Sequence, residues 1–241
     1  MKKRKITVGV TGLNNIDSPG PGIPVIRALK ESREFDVRII GLSYETLEPG
    51  IYMKELVDKV YQLPLPTAGT SILKERLQYI HEIEKPDVII PNFDAELHNF
   101  IKISPWMQEE LGIATFLPSR DAFEERQKSE LNKFGEKYGV QVPVSHMISQ
   151  IQELKKLEEE IDYPMVIKGR YYDAYIASSF EQASSYFYKI VAKWGYPVIV
   201  QEFVTGTEVN VTALGNGKGT CIGAVPMRKL YITDKGKAWS G

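Results

Sequence analysis

The sequence predicts an α/β protein, a doubly wound parallel sheet followed by an incomplete α+β segment. Three observations predict it. Short apolar runs rich in β-formers alternate with helical patterns through about residue 118, a spacing that implies βαβ units. Beyond that point helix, strand and hairpin patterns follow one another instead. The composition is globular: 241 residues, 43% apolar and 25% charged, which at roughly 150 residues per domain suits one large domain or two small ones.

Residues 6–11 form an apolar run long enough for a buried strand, ending in a turn-prone stretch over 12–22 that contains Gly20-Pro21-Gly22. Ile23, Ile26, Ala28 and Leu29 then keep helical spacing, with Pro24 tolerated in the first turn, where amides lack partners anyway. Residues 35–42 read as a second strand. Thr70 or Ser71 caps a helix whose apolar positions are Leu73, Leu77, Ile80 and Ile83, stopping before Pro86. Residues 87–91 are a further buried strand. A helix over 97–111 is expected to break near Pro105 and end at Gly112, with 113–117 strand-like. Right-handed crossovers place the helices on both faces of the sheet.

In the second half, Phe123, Leu131, Phe134 and Tyr138 keep helical spacing to Gly139, and a charged helix lies near 151–160. A strand follows over 164–168, and Ser179-Phe180-Glu181-Gln182 opens a helix with a capping-box pattern. Residues 197–204 are a strand. Those at 207–214 and 220–227 flank Gly215-Asn216-Gly217-Lys218-Gly219, a hairpin signal.

Thirty basic against 31 acidic residues argue against a dedicated nucleic-acid binder. No apolar run reaches the length of a membrane span, and the basic opening lacks a signal-peptide core. A single Cys221 excludes an intrachain disulfide framework. The expectation is a soluble cytoplasmic protein. His81, His98 and His146 are too scattered for a metal site by local spacing. The dinucleotide fingerprint Gly-x-Gly-x-x-Gly is not met after the first strand, which leaves an NAD-dependent enzyme as a distant alternative.

Lys168 ends an apolar strand and is followed by Gly169-Arg170. A cation on a strand rim can meet a phosphate, or it can simply extend its charge into solvent. Gln201-Glu202-Phe203-Val204 ends the next apolar strand, where backbone groups can read an adenine edge; Glu208 can accept from ribose hydroxyls or be a surface acid after a turn. Asp94 and Glu96 form a carboxylate pair that reads either as substrate-contacting or as loop and cap residues. Tyr171, Tyr172 and Tyr175 can stack on a base or serve packing.

Met165-Val166-Ile167-Lys168 and the segment from Val198-Ile199-Val200-Gln201-Glu202 to Gly206-Thr207-Glu208 together resemble the nucleotide-binding core of the ATP-grasp superfamily, in its carbamoyl phosphate synthetase large-subunit form. Upstream, Gly20-Pro21-Gly22-Ile23-Pro24 resembles the glycine-rich first turn of the pre-ATP-grasp domain, and Pro86-Asp87-Val88-Ile89-Ile90-Pro91 through Asp94-Ala95-Glu96 its later strand. The resemblance covers nearly the whole chain. It implies a Rossmann-like pre-ATP-grasp domain at 1–118 and the N-terminal portion of an ATP-grasp domain at 119–241.

What it implies of function is an ATP-dependent carboxylate–amine or carboxylate–thiol ligase working through an acyl phosphate. Lys128 (Arg126 as a substitute) and Lys168 are the implied phosphate contacts. Glu202, Phe203 and Val204, beside Gln201, are the implied adenine hinge, and Glu208 the ribose acid. Arg228 and Lys235 fall where the family holds basic residues near the γ-phosphate or the intermediate. Two departures stand out. The loop after Lys168 has one glycine and three tyrosines, leaving Arg170 to replace lost backbone donors. The family's magnesium ligands lie beyond residue 241, so the expectation is a fragment or split-gene half. A small-molecule carboxylate and amine are the implied substrates, and a second copy or a partner chain is expected to complete the sheet. The alternative from another class is a nucleotide-binding regulatory module without catalysis.

Overall fold

The computed structural model describes residues 3–16, 18–170, 173–232 and 238–241. The chain divides into two compact units, Met1–Arg120 and Asp121–Gly241.

The first unit contains β1 (Arg4–Val10), α1 (Gly22–Lys30), β2 (Phe35–Ser43), β3 (Lys59–Gln62), α2 (Thr70–Glu84), β4 (Val88–Ile90) and α3 (Asp94–Leu111). Its sheet runs β3-β2-β1-β4, and every pairing is parallel. Alternation along the strands sends Val8, Val10 and Ile39 to one face, where they pack with Ile26 of α1. Ile40, Leu42 and Ile89 go to the other, against Leu77 of α2 and Phe100 and Met107 of α3. Each fully buried side chain of this size contributes roughly 1.5–3 kcal/mol. A sheet covered on both faces explains why its strands read as continuous apolar runs.

The turn after β1 is pinned by close backbone approach. Gly12 sits at φ +73, Gly20 N donates to Asn14 O at 2.8 Å, and Gly22 N donates to Gly12 O at 3.0 Å. A Cβ on Gly20 would lie 2.3 Å from Gly12 O, and one on Gly22 2.2 Å from Thr11 O. Only glycine fits at either position.

The expected break at Pro105 does not occur: α3 runs unbroken through it. Proline leaves the carbonyl of Ile101 without its usual amide donor, and Ser104 Oγ supplies one at 3.0 Å. Phe100, Ile103, Met107 and Leu111, buried on both sides of the proline, hold the helix to the core. Residues 113–117 contribute a single bridge, Ala114 to Val88, rather than a strand.

The second unit contains α4 (Arg120–Glu125, starting at the boundary), α5 (Leu131–Tyr138), β5 (Ser145–Ile148), α6 (Ile151–Leu157), β6 (Met165–Gly169), β7 (Ala174–Ala177), α7 (Phe180–Trp194) and β8 (Val198–Glu202). These strands form an antiparallel sheet in the order β5-β8-β6-β7. Met165, Ile167, Val198 and Val200 pack on Leu154, Phe187 and Ile190. Ser179 Oγ accepts from Gln182 N and so caps α7; Gln182 returns its side chain to Ser178 N rather than to the cap residue.

The hairpin follows as β9 (Val209–Gly215) and β10 (Cys221–Arg228), antiparallel with a register shift at Leu214/Gly215. Unlike the first sheet it is exposed on both faces: Val211, Ile222 and Val225 all stand at 60% exposure or more. Among the described residues a short pair, Tyr231–Ile232 with Ala238–Ser240, closes the chain.

Candidate functional site

Alternation in β6 and β8 sets up the second unit's site. Met165 and Ile167 point to the core, so Val166 and Lys168 occupy the opposite face. Gln201, opposite Val166 in the register, shares that face. Lys168 Nζ donates to Gln201 Oε1, which fixes the lysine head at the strand rim. Burial pulls the Lys168 ammonium below its ordinary value, the positive charge of Lys128 pulls it further, and Glu208 offsets only part of this. Such a half-buried cation, short of counter-charge, favours an incoming anion. Lys128 lies in a single 3-10 turn, 128–130, ahead of α5, and Arg126 stacks over the Phe123 ring at 4.5 Å. The structure therefore brings Lys128, Lys168, Gln201 and Glu208 into one electrostatic neighbourhood.

Glu202, paired with Met165, is the last residue of β8. The Glu202 amide donates to Val144 O at 2.8 Å, and its carboxylate accepts from Val144 N at 3.2 Å, tying the strand end to the start of β5. Phe203 and Val204 make no backbone hydrogen bond with the other described residues. Glu208 is paired with the ammonium of Lys229, a residue that the sequence reading missed. The hairpin register matches Val209 with Arg228, which sets Glu208 opposite Lys229. The shift at Leu214/Gly215 hides this pairing from a count around the loop. Arg228 itself is exposed at the end of β10. Lys235, Tyr171 and Tyr172 lie outside the described residues.

Where β6 ends and β7 begins, Gly169 N donates to Asp173 O at 3.0 Å, with Asp173 at φ +63. The Asp173 carboxylate accepts from Lys193 Nζ at 2.7 Å and from Trp194 Nε1 at 2.8 Å, anchoring the start of β7 to α7. Arg170 is exposed. Tyr175 stacks on Tyr186 at 4.8 Å with Lys189 over its ring, so of the two readings for this tyrosine the structure favours packing. A larger cavity nearby in sequence, about 600 Å³ between α4 and α5, is lined by Asp121, Glu124 and Glu130. Its lysines are already engaged, Lys133 with Glu130 at 2.8 Å and Lys137 with Glu125 at 2.5 Å, which makes it a poor phosphate site.

In the first unit, Asp94 and Glu96 do not act as a pair. Asp94 is exposed in the first turn of α3, whereas Glu96 is 1% exposed. Glu96 accepts from Thr11 Oγ1 at 2.5 Å, from the amides of Asn92 and Phe93 at 2.9 Å each, and from the Tyr44 hydroxyl. Burial pushes its carboxyl above the ordinary range in spite of these donors, and the Tyr44 phenol is raised by its own burial and by Glu96. The carboxylate thus staples the ends of β1, β2 and β4 together. His146 meets Glu160 at 3.0 Å. Among the described residues no group of three or more His, Cys, Asp or Glu is placed to hold a metal ion. No helix among them is long and apolar enough to cross a membrane.

No family model matches the chain. It is 24% identical over 222 residues to the N-terminal section of the carbamoyl phosphate synthase large chain of Methanopyrus kandleri, covering 85% of this chain and 36% of that one. It is 25% identical over 236 residues to the carbamoyl phosphate synthase large chain of Pyrococcus furiosus, covering 90% and 22%. Among solved structures it superposes on the ADP complex of purK, an N5-carboxyaminoimidazole ribonucleotide synthetase, with a TM-score of 0.64 at 15% identity, covering 96% of this chain and 56% of that one. Biotin carboxylase from Campylobacter jejuni gives 0.63 at 17%, covering 90% and 49%. The chain spans about a third or less of the curated relatives it matches and about half of these solved chains.

Proposed function

We propose, from the premise that this chain is an ATP-grasp protein similar to the carbamoyl phosphate synthase large chain, that its second unit binds ATP for activation of a carboxylate. The observation that carries the reading is Lys168. It is a half-buried ammonium held by Gln201 at a strand rim, with Lys128 close enough to depress it further.

In this reading Lys168 and Lys128 face the phosphates, and bound phosphate restores the charge balance that burial denies them. The backbone groups of Phe203 and Val204 take the adenine edge. Glu208, whose side chain stays 64% exposed despite its ion pair, takes the ribose hydroxyls. Bound ATP supplies an activated phosphoryl group for a carboxylate oxygen, and an amine or thiol then displaces phosphate. The residues contribute alignment and charge neutralisation rather than proton transfer. Arg170, which follows β6, and Arg228, at the end of β10, are exposed cations and the candidates to meet the transferring end. Among the described residues no group of three or more His, Cys, Asp or Glu is placed to hold magnesium.

The test is thermal unfolding of the full chain with ATP, with NADH as control. Occupancy at a hundredfold over Kd adds about 2.7 kcal/mol, a midpoint rise of about 5–11 °C at this size. A rise with ATP and none with NADH supports the reading; no rise with ATP overturns it. Stabilisation without ADP release in the presence of carboxylates would favour the nucleotide-binding module, for which the single glycine in the sequence after Lys168 speaks.

A further inference from the structure

Glu208 and Lys229 form an ion pair whose two halves are unequally placed. On a protein surface the lysine head normally stands in water, and such a pair is worth little. Here the lysine side chain is 11% exposed and the glutamate side chain 64%. Lys229 Nζ donates to Glu208 Oε1, and Lys229 N donates to Glu208 O at 3.3 Å, so backbone and side chain tie the same two residues together. The pair closes the open end of the β9–β10 hairpin, one step beyond the match of Val209 with Arg228. The next amide, Leu230 N, donates to Ser240 O at 3.0 Å, which fixes the backbone that carries the lysine on its other side.

These constraints act on the glutamate. A free surface glutamate samples many rotamers, and ordering it on a ligand costs affinity. A buried ammonium that takes Oε1 removes much of that freedom. Oε2 accepts from no donor among the described residues, so it is the oxygen left for a ligand. Glu208 also lies near enough to Lys168 to support that ammonium against burial. A carboxylate pinned by one oxygen, within reach of a cation assigned to phosphates, is suited to accept from a sugar hydroxyl with its other oxygen.

We propose that Lys229 is a positioning residue for ribose recognition. By holding one oxygen of Glu208 it presents the other to the ribose hydroxyls, and so sets a preference for ribonucleotides over their deoxy forms. Lys229 has this role only if the second unit binds ATP as proposed above.

The test is calorimetric titration of the full chain at pH 7, magnesium present, with ATP and with 2′,3′-dideoxyATP, which keeps base and phosphates but lacks both ribose hydroxyls. The parent should bind ATP about tenfold or more tighter than the dideoxy form. Lys229→Met keeps an apolar stem of similar length without the charge. It should weaken ATP about two- to tenfold and leave dideoxyATP unchanged, which also checks that the site is folded. Lys229→Arg should retain most of the preference. Glu208 is exposed, so Glu208→Ala removes the acceptor with little risk to folding; it should abolish the preference, and adding Lys229→Met to it should change nothing further. Equal weakening of both nucleotides by Lys229→Met, or a preference left intact by it or by Glu208→Ala, would overturn the role of Lys229 while the ATP reading stands. Absence of binding by the parent to either nucleotide would overturn the ATP reading and this role together.

Discussion

The two principal sheets end in opposite electrostatic characters. At the rim of the antiparallel sheet, Lys168 and Lys128 crowd positive charge around half-buried ground. At the carboxyl ends of the parallel sheet, Glu48 and Glu96 are carboxylates at 5% and 1% exposure. They also differ in their partners. Four donors converge on both oxygens of Glu96, making it structural, whereas Glu48 accepts from two amides of its own loop, both on Oε1. Burial alone therefore does not mark a functional group.

The largest expected effect would break the staple in the parallel sheet. Glu96→Ala leaves two amides and two hydroxyls facing a void, and should cost about 3–5 kcal/mol, read as a lower urea midpoint for the first unit. Next, Lys168→Met should lose the whole ATP-dependent stabilisation of about 2.7 kcal/mol. The apo protein should stay equally stable or gain, because a desolvated ammonium has been removed. A large apo loss would show that Lys168 holds the sheet together instead. Gly22→Ala forces a methyl against the Thr11 carbonyl, and should cost about 1–3 kcal/mol while sparing the second unit's response to ATP. The smallest effect concerns pH. With its folded pKa depressed, Lys168 holds fewer protons folded than unfolded in the window that ends at 10.5. Apo stability should therefore gain from this group as pH rises through that window. Denaturation at paired pH values should show the increment in the parent and not in Lys168→Met.

The parallel sheet was legible because strands buried on both faces must be apolar throughout, as at 6–11 and 87–91. Strand Lys59–Gln62 escaped notice because Tyr61 is its only buried residue. Ala174–Ala177, with one buried position, escaped for the same reason. Pro105 misled because the donor that rescues Ile101 is a serine side chain, invisible to a rule about backbone amides. The cationic cluster could be traced in the sequence only in part. Lys168 and Gln201 follow from strand alternation, but Lys229 needed the hairpin's shifted register. The burial of Glu48 was not legible, since Ser43-Tyr44-Glu45-Thr46-Leu47-Glu48-Pro49-Gly50 reads as an ordinary acidic turn, and only the structure shows its carboxylate turned back onto the amides of Tyr44 and Glu45.

The turn after β1 limits what this protein can become. Backbone presses on Gly20 and Gly22, and Gly12 holds a left-handed conformation with Asn92 Cβ 2.8 Å from where its own Cβ would stand. In a saturation library selected for nothing but folding, positions 12, 20 and 22 should return glycine codons almost alone, while exposed Glu45 tolerates many residues. Evolution or engineering at this end of the parallel sheet would find more freedom in the loops after β2 and β4 than at these three positions after β1.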